Sequence, residues 1–138
     1  MYAALCSKLI ANTYYNIAMK LIQIYECFCD ETRLRILNLL SKTPLCVSHL
    51  QHVLQLPQVK ISKHLGYMKD RGMVEAVRYE NWMLYSLTGE CCPEFDSNLR
   101  CLQDCSQEYS VFKEDLKRLQ SVLKEIGKIR EKVSQAKE

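Results

Sequence analysis

The chain has 138 residues, a formal net charge of +3, 48% hydrophobic and 25% charged residues, and eight cysteines. That is enough chain for one modest core, in an ordinary globular composition; the charge hints at an acidic partner without identifying it. Residues 1–28 are apolar in patches, but Lys8, Asn12, Asn16, Lys20 and Gln23 interrupt them. No run approaches the roughly 20 apolar residues that span a bilayer, and a leading basic region and a small-residue cleavage site are both missing. The segment is predicted as a helix and the chain as cytoplasmic, where thiols are kept reduced and structural disulfides are disfavoured.

The stretch "DETRLRILNLL" (30–40) places Leu34, Leu37 and Leu40 at helical spacing behind Asp30, an N-cap residue type. "CVSHLQHVL" (46–54) predicts a second short helix, ended near Leu56-Pro57. "PQVKISKHLGYMKDRG" (57–72) opens with proline in the first turn and closes on Gly72; Val59, Leu65 and Met68 are its expected inner side. Over 73–87, "MVEAVRYENWMLYSL", the pattern alternates about "YEN" and predicts a two-stranded hairpin. After "TGECCP" the chain reads as helical, with Phe112, Leu116, Leu119, Leu123 and Ile126 forming a short heptad seam that Arg130 breaks. The fold class expected is mainly α with a small β hairpin, a winged helix-turn-helix with N- and C-terminal dimerisation helices. It forms a single domain over 1–138: the N-terminal helix 1–28, the DNA-binding core and wing 30–88, and the C-terminal effector and dimerisation helices 91–138.

Gln58, Lys60, Ser62, Lys63 and His64 crowd polar groups onto the first half of the 57–72 helix. In a helix-turn-helix this half enters the major groove. Lysine and serine suit phosphate contacts, and glutamine can pair bidentately with adenine. A solvated helix face is the alternative for each residue taken alone. The combination of "DETRLRILNLL", "PLCVSHL", "LPQVKISKHLGYMKDRGMV" and "RYENWMLYSL" resembles the ArsR/SmtB-type arsenic- and metal-responsive repressors over roughly residues 20 to 90. The resemblance implies a homodimer that binds double-stranded operator DNA and leaves it when a metal or metalloid binds. It places DNA contacts at Gln58, Lys60, Ser62, Lys63 and His64, with Arg78 on the wing. The sequence departs from the family at the wing turn, where Glu80-Asn81-Trp82 stands in place of a glycine. Asn81 can adopt the left-handed conformation there, and Trp82 and Tyr85 are expected to pack against the domain.

The family's effector sites vary in place. At the start of the short helix, "LCVSHL" keeps Cys46 but has Ser48 and Gln51 where further thiols would be needed, so Cys46 reads as a small buried hydrophobe. No histidine lies beyond residue 64, which removes an aspartate–histidine zinc site on the last helix. His49 and His52 read as surface polar residues. "CFC" (27–29) lies in the first helix, where residues two apart face away from each other, so Cys27 and Cys29 read as structural. Cys91, Cys92, Cys101 and Cys105 in "CCPEFDSNLRCLQDC" remain as metal ligands. Pro93 pushes Cys92 toward an extended conformation at a helix start, and Cys101 and Cys105 share one face. A cysteine pair followed by a further cysteine resembles the C-terminal site of some arsenic repressors, which implies trivalent arsenic, As(III), as effector and no catalytic cofactor. A soft ion suits thiolates without imidazole. Packing at a dimer interface, and zinc at four cysteines, stay open for these residues. The expected function is therefore a repressor rather than an enzyme. The alternatives are a thiol-based redox regulator or redox protein, without a C-x-x-C or cofactor loop in its support, and an architectural DNA-binding protein.

Overall fold

The computed structural model describes residues 2–89 and 92–136. A long helix, α1 (Tyr2–Phe28), is followed by α2 (Glu31–Leu40), α3 (Val47–Leu54) and α4 (Gln58–Asp70). A hairpin of β1 (Val74–Tyr79) and β2 (Trp82–Leu87) leads to α5 (Pro93–Ser106) and α6 (Ser110–Ala136). The strands pair antiparallel from Val74↔Leu87 to Tyr79↔Trp82. Leu45 adds an isolated bridge to Tyr85, with N–H···O distances of 3.0 and 2.9 Å, so the wing is sewn to the loop ahead of α3. This is the expected winged helix-turn-helix order.

Local chemistry explains the ends. Extended Asp30 caps α2 by accepting from the Arg33 N–H at 3.0 Å. Burial alone would raise its carboxyl pKa, but that N–H bond, with His64 and Arg33 beside it, lowers it below the ordinary value. α3 ends on Gln55 in the left-handed region, φ 57°, without the glycine that usually takes it. Pro57 is the N-cap of α4, one position ahead of the expected first turn. Leu56 and Ile61 sit on either side of that start and pack inward, a hydrophobic staple.

Four expectations are corrected. On α4 the inner stripe is Ile61, Leu65 and Met68, while Val59 is 80% exposed; Val59 is two residues from Ile61, roughly 200° around the helix. In the wing turn the positive φ, 54°, falls on Glu80 rather than on Asn81. Trp82 is 54% exposed at the wing tip, because its cross-strand partner Tyr79 is itself on the outer face; Tyr85 packs on the core as expected. On α6 the inner stripe runs through Phe112, Asp115, Leu119 and Val122, and Leu123 faces out. The observed stripe follows the 3.6-residue period of a helix packed on α2 and α3, not a heptad.

The core joins Ile24 and Cys27 of α1 to α2, α3 and α4 and to Phe95, Leu99 and Leu102 of α5. Phe28 meets Phe95 edge to face at 6.0 Å. α6 is fastened by charge. Arg35 donates from Nε to Asp115 Oδ2 and from Nη2 to Asp115 Oδ1, both at 2.7 Å, and the Asp115 side chain is fully buried. The same Arg35 Nη2 reaches the Leu54 carbonyl, and Arg118 Nη1 reaches the Val53 carbonyl, each at 3.2 Å. Two arginines thus satisfy the last carbonyls of α3, one turn before the helix-turn-helix corner. α1 leaves Leu5, Leu9 and Ile10 exposed, Leu9 by 64%.

Candidate nucleic-acid interface and cysteine site

The outer face of α4 carries Gln58, Lys60, Ser62 and Lys63, all exposed. Its N-terminus has no side-chain cap, so the first backbone N–H groups point outward at the positive end of the helix dipole. Such a terminus accepts phosphate, and the lysines beside it add charge. Arg78 is exposed on β1 opposite Met83, at the wing.

His64, expected on this face, is turned the other way. Its Nδ1 lies 3.4 Å from Arg33 Nη1 and 3.8 Å from Asp30 Oδ1. A guanidinium can only donate, so Nδ1 accepts and the ring is neutral in that contact. Burial lowers the His64 pKa; Asp30 works against this, while Arg33, Lys60 and Lys63 add to it. On the same flank the Tyr67 ring lies between two guanidiniums, with Arg71 3.3 Å and Arg33 4.3 Å from its centroid. Arg71 also pairs with Glu26 at 2.9 Å, and Arg33 donates to the carbonyls of Glu26 (2.8 Å) and Cys27 (3.2 Å). α4 is therefore held by its flank to the end of α1 and the start of α2, which sets the angle at which its outer face is presented.

The cysteines divide by environment. Cys27 is buried, and burial pushes its pKa up to about 11 against the pull of Arg71 and Arg33, so it is a neutral thiol. Cys29 is exposed just past the end of α1. Cys46 is buried at the start of α3, 3.0 Å from the Ser48 hydroxyl, as a packed thiol should be. His52 is exposed; His49 is half-buried, and burial lowers its pKa. Cys92 is the extended N-cap of α5, half-buried, and lines a cleft of about 640 Å³ between α1, the base of the wing and α5. Lys20, Lys69 and Arg71 border the cleft, and positive charge of this kind favours thiolate. Cys91 lies outside the described residues. Cys101 and Cys105 are exposed on the solvent side of α5, opposite Phe95, Leu99 and Leu102. They hydrogen-bond to each other, and that bond raises the Cys105 pKa.

One ion cannot join all of these in a single chain. Nine residues of helical rise put Cys101 about 13 Å from Cys92, and Cys105 about 20 Å, whereas sulfurs on a common ion lie about 4 Å apart. Among the described residues no group of three or more histidine, cysteine, aspartate or glutamate side chains is placed to hold a metal. The tertiary structure also supplies what the sequence reading missed: the Arg35–Asp115–Arg118 clamp and the cleft beside Cys92. Asp115, a charge on the apolar stripe between Phe112 and Leu119, was the available signal for the clamp.

A family model described as "Bacterial regulatory protein, arsR family" matches residues 30–76. The chain is 34% identical over 87 residues to the arsenic resistance transcriptional regulator ArsR1 of Pseudomonas putida, covering 62% of this chain and 68% of that protein. It is 38% identical over 68 residues to the arsenical resistance operon repressor of Escherichia coli, covering 49% and 58%. Among solved structures it is similar to HlyU from Vibrio cholerae, with TM-score 0.58 and 25% identity over 64% of this chain and 92% of that one. A homodimeric winged helix-turn-helix domain from Mycobacterium bovis has TM-score 0.58 and 21% identity, over 70% and 86%. Among the described residues no helix is long and apolar enough to cross a membrane.

Proposed function

Because the chain belongs to the ArsR family of winged-helix transcriptional regulators, we propose that it is a homodimeric, cytoplasmic, single-domain repressor released from its operator by trivalent arsenic at its C-terminal cysteines. Gln58, Lys60, Ser62 and Lys63 of α4 read and grip the major groove, and Arg78 follows the backbone from the wing. The exposed apolar residues of α1 belong to the dimer interface, since an isologous two-fold contact covers the same surface on both copies.

The observation that carries the effector assignment is the position of Cys92. It stands between the end of β2 and the first turn of α5, half-buried in a basic cleft. An ion held by Cys91 and Cys92 therefore acts on the joint between wing and dimer helix. The third sulfur comes from Cys101 or Cys105 of the partner's α5, because helical rise separates these residues within one chain and antiparallel pairing of α5 across a two-fold axis brings opposite ends together. Arsenic supplies a soft centre that draws thiolates into one cluster. The chain's own residues do the rest: the joint moves, the two α4 helices change spacing, and both half-sites cannot be engaged. A hundredfold loss of operator affinity needs only about 2.7 kcal/mol of coupling.

The test is anisotropy of labelled promoter DNA titrated with reduced protein and then with arsenite, zinc or peroxide. Arsenite should release the wild type and Cys46→Ser. It should leave Cys91→Ser and Cys92→Ser bound. Release of Cys92→Ser at the wild-type arsenite concentration would move the site elsewhere. The exposed, hydrogen-bonded Cys101–Cys105 pair favours one second reading, a redox-responsive regulator; release by peroxide but not by arsenite would select it.

A further inference from the structure

The outer line of α4 has a composition that phosphate binding leaves unexplained. Opposite the inner stripe of Ile61, Leu65 and Met68, the helix presents Val59 between Ser62 and Lys63, and Gly66 lies seven residues on, nearly in line with Val59. Val59 is the most exposed large hydrophobic side chain among the described residues, at 80%. The fold does not use it: the helix start is stapled by Leu56 and Ile61, and β-branching disfavours the helix slightly. Gly66 is equally unaccounted for within the chain. A Cβ placed there would meet nothing within 4 Å, and its backbone is ordinary helix. Glycine inside a helix costs stability, so the bare backbone invites an explanation outside the protomer.

The outer line is thus an apolar knob followed by a stretch without side-chain bulk, bordered by Ser62 and Lys63. The major groove offers one apolar feature on its base edges, the C5-methyl of thymine, and a helix lacking bulk in its middle can seat close to the groove wall. We infer that Val59 reads a thymine methyl in each half-site and that Gly66 permits the close approach that brings it there. This rests on α4 being the major-groove helix, and it adds a specificity determinant that the polar residues of α4 do not provide.

The experiment selects the operator from random duplexes with the full-length chain, then replaces each thymine in turn by deoxyuridine, which removes only the methyl. Burial of one methyl group predicts that a single position per half-site weakens wild-type binding about fourfold. Val59→Ala should bind thymine and uracil operators equally, at the affinity of the wild type for the uracil duplex. Gly66→Ala should raise thermal stability while weakening binding to every sequence, opposite signs that a purely structural glycine would not produce. Equal binding of all uracil duplexes by the wild type, or a Val59→Ala protein that still prefers thymine, overturns the assignment of Val59. A Gly66→Ala protein that binds normally overturns the seating. If selection yields no preferred sequence and Lys63→Ala binds DNA like the wild type, the reading of α4 itself falls, and this inference with it.

Discussion

Replacing Asp115 with alanine should be the most damaging single change in the last helix. The carboxylate is fully buried and accepts two 2.7 Å bonds from Arg35, whose own side chain is only 11% exposed. The substitution strands a guanidinium in the interior, and removing one partner of a buried pair costs about 3–5 kcal/mol. Total stability for a chain of this class is about 5–15 kcal/mol, so the loss takes a large share. With a urea dependence of about 1–3 kcal/mol per molar, the midpoint falls by at least about 1 M. The assay is urea unfolding followed by far-ultraviolet circular dichroism at one fixed protomer concentration, since dimer coupling makes the midpoint concentration-dependent. Arg35→Leu with Asp115→Leu, which removes both charges, should lose less than Asp115→Ala alone. Under conditions where it remains folded, Asp115→Ala should also bind operator more weakly, because Arg35 and Arg118 hold the carbonyls that end α3. A shift below about 1 kcal/mol, the size of a surface ion pair, would refute the reasoning, as would simple additivity of Arg35→Leu and Asp115→Leu.

Gln55→Gly should stabilise the protein by up to about 1 kcal/mol, because Gln55 sits at φ 57° where a Cβ is unfavourable; a lowered melting temperature would contradict this. Lys60→Ala and Lys63→Ala should each flatten the salt dependence of DNA binding by about one unit of log slope, whereas Gln58→Ala should relax sequence preference; unchanged binding in all three would remove α4 from its role. The folded His64 pKa lies below the ordinary 6.5, so the unfolded chain takes up more protons below that pH. Its contribution is complete above 6.5 and is lost as pH falls toward the lowered folded value. The wild type should therefore lose stability relative to His64→Gln between neutral and mildly acidic pH, with His49 common to both; a pH-independent difference in urea midpoint would count against the buried neutral ring. Iodoacetamide at mildly alkaline pH should label Cys29 and Cys101 well before Cys27, whose thiol is pushed up to about 11; mass mapping of early adducts at Cys27 would show that its burial is not maintained.

The sequence by itself determined the elements and their order. Asp30, Pro57 and the alternation about "YEN" are local signals, and local backbone chemistry realises them: a carboxylate on a free N–H, a fixed φ ahead of a helix, side chains alternating across a pleat. Cys46 as a packed thiol was legible too, because its neighbours lack the ligands for anything else. Which face of each helix turns inward was legible only where a second element confirmed it. Val59 and Ile61 are both β-branched and two residues apart, and only the packing of α4 on α2 and α3 decides that Ile61 is core and Val59 is surface. His64 looked like its polar neighbours until Asp30 and Arg33, more than 30 residues away, drew it inward. Arg35 and Asp115 meet across 80 residues of chain, a pairing that no local pattern encodes. The cysteines give the same lesson in reverse. Their closeness in sequence suggested one site, but a rigid helix between Cys92 and Cys101 converts nine residues into a distance too long for one ion, so it is the stiffness of α5 that separates thiols the sequence places together.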